Sequence, residues 1–87
     1  MYTVVLSSKA IKALQKLDRP TSVMLYNWIK KNLEGCSNPR AHGKGLTGNH
    51  KGYWRYRVGT YRIIAEIDDK CVKIAVINVG HRRDVYS

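Results

Sequence analysis

Two hydrophobic spacings divide the chain near its middle: apolar positions recur every three or four residues before residue 36 and alternate after residue 53. Tyr2 to Leu6 opens as a short β-branched strand. Ser7-Ser8 ends it and offers a helix N-cap at Ser7, with Leu6 and Ile11 at hydrophobic-staple positions. Ala10, Ile11, Leu14 and Leu17 then follow at helical spacing, turning Lys9, Lys12 and Lys16 outward. Asp18-Arg19-Pro20 breaks this pattern, and Pro20 suits the first turn of a second helix. Leu25, Trp28, Ile29 and Leu33 form the buried stripe of that helix, and Gly35 suits the left-handed residue that ends it. The pattern predicts an αα-hairpin, with Trp28 read as core rather than as a base-stacking ring.

From Cys36 to Gly52 the periodicity disappears into Ser, Asn, Pro, Gly and His, interleaved with Arg40, Lys44 and Lys51. This stretch is expected to be loop. Gly43, Gly45 and Gly48 do not make a phosphate-binding Gly-x₄-Gly-Lys-Ser/Thr pattern. A loop this long in a small domain is often functional.

Alternation resumes at Tyr53. Val58-Gly59-Thr60-Tyr61 predicts a tight hairpin whose Gly59 supplies the positive φ of a type II′ turn. With Gly59 and Thr60 as the loop, Val58 faces Tyr61 and Arg57 faces Arg62. Trp54, Tyr56, Val58, Tyr61, Ile63, Ala65 and Ile67 then share one face, and Arg55, Arg57 and Arg62 the other. Like charges placed opposite one another destabilise a sheet, so three guanidinium groups gathered there point to a bound anion. Asp68-Asp69-Lys70-Cys71 predicts a second turn. With Asp69-Lys70 as its loop, Ile67 faces Val72, Ala65 faces Ile74, Ile63 faces Val76 and Glu66 faces Lys73, and Ile77 comes alongside Arg62. Cys71 is expected to pack at the strand start. This strand is expected to end at Val79-Gly80, and the tail from His81 to Ser87 emerges at the arginine edge.

Charge sharpens the picture. The 87 residues carry 16 Lys+Arg against 6 Asp+Glu, a formal net charge of +10, which points to a polyanionic partner. The length is that of one domain, and a hydrophobic content of 44 % is adequate for one core. No stretch has the roughly 20 apolar residues of a membrane span, and Met1-Tyr2-Thr3 lacks the features of a signal peptide. A cytoplasmic location and no membrane partner are expected. Cys36, Cys71, His42, His50 and His81 show no metal-ligand spacing, so reduced cysteines, no metal and no cofactor are expected.

An arginine-rich sheet face suits phosphate groups through planar, bidentate donors. Tyr53, Tyr61 and Tyr86 add rings able to stack single-stranded bases, although Tyr61 falls on the core face. RNA brings its own nucleophile, the 2′-OH; a catalyst need only align it, take its proton, stabilise the charge on phosphorus and protonate the 5′-oxygen. Arg55, Arg62 and Arg82 are candidate charge stabilisers. Arginine stays charged, so proton transfer falls to Tyr86, His81 or a carboxylate. The face carries no carboxylate pair, only Glu66.

Leu46-Thr47-Gly48, Tyr53-Trp54-Arg55-Tyr56-Arg57, Gly59-Thr60-Tyr61-Arg62 and Gly80-His81-Arg82-Arg83-Asp84-Val85-Tyr86, in this order and spacing, resemble bacterial RelE/ParE-superfamily toxins. The closing run resembles the RelE branch. The resemblance implies a single RelE-like domain over residues 1–87 of α+β class: an N-terminal strand, an αα-hairpin, an antiparallel sheet of about three further strands and a short functional tail. It implies a type II toxin that enters the ribosomal A site and cleaves translated mRNA, leaving a 2′,3′-cyclic phosphate. An acidic cognate antitoxin would neutralise it, and operator DNA would be bound only through the toxin–antitoxin complex. By motif, the catalytic residues are Arg55, Arg62, Arg82 and Tyr86; independently of the motif, Lys44, Lys51, Tyr53, Arg57, His81 and Arg83 are expected on the RNA. Tyr53 and Arg55 stand where the family often has lysines, and the general base stays open. Two alternatives are a ParE-like DNA gyrase inhibitor and an inactive toxin-fold repressor partner.

Overall fold

The computed structural model describes residues 1–81. Strand β1 (Thr3–Leu6) leads into helices α1 (Ser8–Lys16) and α2 (Arg19–Asn32). A loop then reaches a two-residue strand β2 (Lys44–Gly45), a 3₁₀ turn over Gly48–His50, and strands β3 (Trp54–Val58), β4 (Tyr61–Asp68) and β5 (Lys73–His81). The fold is the expected α+β arrangement, a five-stranded sheet in the order β1-β5-β4-β3-β2. Strand β1 pairs in parallel with β5, from Thr3–Lys73 to Leu6–Val76, and the other pairs are antiparallel.

Both helices start where the side chains cap them. Ser7 Oγ accepts the Ala10 N–H at 3.0 Å and Asp18 accepts the Thr21 N–H at 3.2 Å, satisfying donors that have no partner inside the helix. Pro20 sits in the first turn of α2, and Gly35, with φ +76°, follows its end. The helices cover one sheet face. Ala10, Leu14, Leu25, Ile29 and Leu33 meet Tyr56, Val58, Ile63, Ala65, Ile74, Val76 and Val79 in one core, each large side chain contributing about 1.5–3 kcal/mol by leaving water. Ile11, expected in the stripe of α1, is instead 43 % exposed.

The β3–β4 hairpin has the expected register, Val58 opposite Tyr61 and Arg57 opposite Arg62. The β4–β5 hairpin does not. Its loop runs from Asp69 to Val72, so Asp68 rather than Glu66 faces Lys73, and Ala65 faces Val76. Asp68 Oδ1 accepts the Cys71 N–H at 3.0 Å, which closes this wider turn, and Val72 takes a φ of +52°. That bond holds the Asp68 carboxyl below the usual carboxylate range, with the Lys73 charge adding a smaller pull. Cys71 is exposed in the turn instead of packed at a strand start.

A bulge follows. Val76 pairs with Ala65 and Asn78 with Ile64, leaving Ile77 as the extra residue. Its carbonyl accepts the Ser7 hydroxyl at 2.7 Å, which ties the bulge to the start of α1. Beyond it Val79 faces Ile63, and Gly80, not Ile77, faces Arg62.

Candidate functional site

The β3–β4 hairpin gathers the arginines. Gly59 takes φ +62° in the two-residue loop, which makes Val58–Tyr61 a hydrogen-bonded pair. Alternation then makes Arg57–Arg62 a non-hydrogen-bonded pair, the type in which facing side chains stand closest. Two like charges occupy the position where their repulsion is largest. Arg55 lies two residues along the same face, opposite Ile64, which is only 5 % exposed and floors the face. On the β5 side Arg62 faces a glycine, so no β5 side chain stands directly beside it.

Among the described residues, most carboxylates are engaged away from this cluster. Asp18 caps α2, Glu34 accepts the Val4 N–H, Asp68 closes its turn and Asp69 pairs with Arg40 at 3.0 Å. Glu66 lies on the arginine face beyond Ile64, opposite Ala75 instead of the expected lysine. The Arg55 Nε is buried with no hydrogen-bond partner, a donor left open on a face otherwise rich in donors.

The other expected site residues are distributed unequally. Lys44 lies on β2 directly opposite Arg55, and Tyr53 immediately precedes β3. Lys51 is exposed at the end of the 3₁₀ turn, outside the sheet. His81 pairs with Tyr61, their rings T-shaped at 5.8 Å, and therefore lies on the helix side, opposite to Arg57 and Arg62. There it joins Lys9, Lys12 and Lys16 around a cavity of about 590 Å³. Arg82, Arg83 and Tyr86 lie outside the described residues.

Inward-facing residues of β3 fix the preceding loop. The Tyr56 hydroxyl donates to the Pro39 carbonyl at 2.7 Å, and the Trp54 indole N–H to the His42 carbonyl at 2.7 Å. Arg40 grips Asp69 through two bonds of 3.0 and 3.1 Å, and the Tyr2 hydroxyl donates to the same carboxylate at 2.7 Å. The Arg40 guanidinium, then the Tyr2 hydroxyl, hold Asp69 below the usual carboxylate range, and the bond to Asp69 raises the Tyr2 phenol. Gly43, at φ +78°, passes so close to β3 that a Cβ would fall on the Arg55 carbonyl oxygen. This loop brings His42 and Gly43 to Arg55, a proximity that the lack of any pattern between Cys36 and Gly52 concealed.

A family model described as "ParE toxin of type II toxin-antitoxin system, parDE" matches residues 4–86. The toxin RelG of Mycobacterium tuberculosis is 31 % identical over 85 residues, spanning 98 % of this chain and 95 % of that protein. The chain belongs to the RelE/ParE toxin superfamily. The toxin RelE of the same organism is 27 % identical over 85 residues, covering 98 % and 86 %. Among solved structures, the toxin–antitoxin complex RelBE2 from M. tuberculosis matches with a TM-score of 0.84 at 30 % identity, over 93 % of this chain and 98 % of that one. The archaeal RelE–RelB complex from Pyrococcus horikoshii matches with a TM-score of 0.70 at 25 % identity, over 97 % and 98 %. Among the described residues of this toxin, no helix is long and apolar enough to cross a membrane.

Proposed function

We propose that this toxin is a ribosome-dependent endoribonuclease that cuts translated mRNA in the A site. The observation that carries the reading is the closely opposed Arg57–Arg62 pair with Arg55 beside it on the same sheet face. The 2′-OH of the substrate attacks the adjacent phosphorus, the bond from phosphorus to the 5′-oxygen breaks, and a 2′,3′-cyclic phosphate remains. Arg55 and Arg62, joined by Arg82, stabilise the charge that builds on the phosphoryl oxygens. Tyr86 is the candidate for proton transfer, and the ribosome aligns the message. Lys44, Tyr53, Arg57 and Arg83 hold the flanking strand, with Lys51 and His81 on more distant phosphates.

The solved relatives include RelE toxins in complex with RelB antitoxins, which supports an acidic antitoxin as the neutralising partner of this +10 chain. Operator DNA is engaged through that complex, and the toxin acts in the cytoplasm. Primer extension on a translated message after induction tests the reading. New 5′ ends within codons are expected, and Arg62→Ala abolishes them. Continued growth arrest without such ends overturns it.

The ParE description of the matching family model favours a second reading, inhibition of DNA gyrase. One scaffold can host both activities. Loss of supercoiling by purified gyrase on adding the toxin selects that reading, and expression without antitoxin that leaves cells unharmed selects a repressor partner alone.

A further inference from the structure

Beside the arginine face lies a cleft of about 430 Å³, lined by Trp28, His42, Gly43, Lys44, Arg55 and Arg57. Its volume falls within the range of small-ligand sites. It opens where β2 ends. Strand β2 pairs only with Trp54 and Arg55, so among the described residues no strand flanks Arg57 on its outer side. Because Val58–Tyr61 is the hydrogen-bonded pair, alternation turns the Arg57 backbone N–H and C=O toward this open edge. The Trp28 and His42 rings meet at 5.9 Å and 70°, a corner that offers one ring face beside another ring's edge. Three cations stand across from that corner, and the partnerless Arg55 Nε belongs to one of them. Gly43, held tight against the β3 backbone, is also part of the lining.

We propose that this cleft binds one nucleotide of a single-stranded RNA, its base in the Trp28–His42 corner and its phosphate on Lys44, Arg55 and Arg57. An acidic peptide would use the cations and leave the rings uncovered; a nucleotide uses both. Trp28, which sequence alone assigns to the core, is half-buried: one side packs on Tyr56 at 5.7 Å and the other lines the cleft. The inference rests on the RNA reading of the arginine face, since Arg55 serves both. It adds a base-recognising subsite beside the guanidinium groups of that face.

The test uses purified toxin and a 2′-O-methyl trinucleotide, which has no free 2′-OH and is not cleaved. The Trp28 indole and His42 ring resonances are followed by NMR. The trinucleotide is expected to shift both, His42→Ala to weaken binding about fivefold or more, the lower end of one base–aromatic contact, and Trp28→Phe, which keeps a smaller ring, to weaken it measurably but less. Trp28→Phe retains a ring against Tyr56, and unchanged thermal unfolding checks its fold. The proposal is overturned if inorganic phosphate gives the same shifts, if a free nucleoside monophosphate binds as tightly, if an acidic peptide competes at lower concentration, or if neither ring responds. Cleavage of translated mRNA, assayed on the same preparations, separates the two readings. An unresponsive cleft in a cutting toxin removes the subsite alone, and a responsive cleft without cutting removes the enzyme alone.

Discussion

Replacing Tyr56 by Phe isolates one hydrogen bond that holds the long loop to the sheet. Tyr56 is fully buried, and its hydroxyl donates to the Pro39 carbonyl at 2.7 Å in a buried setting. Phenylalanine keeps the ring, so the packing against Trp28 and the core remains and no large cavity forms. The Pro39 carbonyl, however, stays inside without its donor, which costs about 1–3 kcal/mol. For a domain of this size each 1 kcal/mol lowers Tm by roughly 4–8 °C. The expected result in urea is a lower midpoint with an unchanged slope, and faster amide exchange from Asn38 to Gly43. Burial also pushes the Tyr56 phenol above its ordinary value of 10.0. A raised folded value means that its contribution is complete below the unfolded pKa and is lost as pH rises above about 10, a decline that Tyr56→Phe should diminish. Tyr26→Phe, at 46 % exposure, is the control and should change stability by less than about 0.5 kcal/mol. If Tyr56→Phe matches that control, the bond does not anchor the loop and the reasoning fails.

Gly43→Ala and Gly48→Ala form a matched pair, since both residues have positive φ but only Gly43 has backbone in the path of a Cβ. Gly48→Ala should cost about 1–2 kcal/mol from conformation alone, and Gly43→Ala distinctly more in the same urea titration, with loss of the β2–β3 pairing. Arg57→Thr should raise stability by about 0.2–1 kcal/mol through removal of a directly opposed like charge; the gain should shrink in high salt, and a loss of stability at low salt would refute the opposed-charge account. Asp18, Asp68 and Asp69 all lie below the usual carboxylate range, through bonds to Thr21, Cys71 and Arg40 respectively. Depressed folded values give contributions that are complete above the unfolded pKa of about 3.9 and lost as pH falls through the folded values. Stability should therefore change little on their account from pH 8 to 5 and decline below about pH 4, and Asp69→Asn should reduce that acid decline in urea midpoints.

Local chemistry made parts of this fold legible. Ser7 and Pro20 mark the helix starts because these signals involve neighbours within three residues, whereas the Asp18 cap emerges only in the structure. The Gly59-Thr60 loop is equally local, and once it is placed, alternation alone assigns Arg55, Arg57 and Arg62 to one face. The second hairpin was not legible in the same way. Its loop puts Val72, a β-branched residue, at positive φ, and its bulge at Ile77 is held by a hydroxyl from Ser7, 70 residues away in sequence. That slip changes the Arg62 neighbour from Ile77 to Gly80 and the Lys73 partner from Glu66 to Asp68. Strand β2 has no propensity of its own; Lys44-Gly45 become strand because Tyr56 and Trp54 tether the residues before them. For the same reason His42, in a stretch with no periodicity, reaches Arg55 without any sequence signal.

The parallel pairing of β1 with β5 has a consequence for the nascent chain. Thr3–Leu6 are made about 70 residues before their partners Lys73–Val76, so β1 waits through that stretch of synthesis without the strand that covers its inner edge. The helices and the β3–β4 hairpin can close from local contacts, but the complete sheet requires that long-range closure. Chains arrested before Lys73 should thus remain protease-sensitive at β1, whereas chains released past His81 should resist. The ribosome making this toxin must therefore release the chain through Val76 before β1 is paired and the sheet is whole.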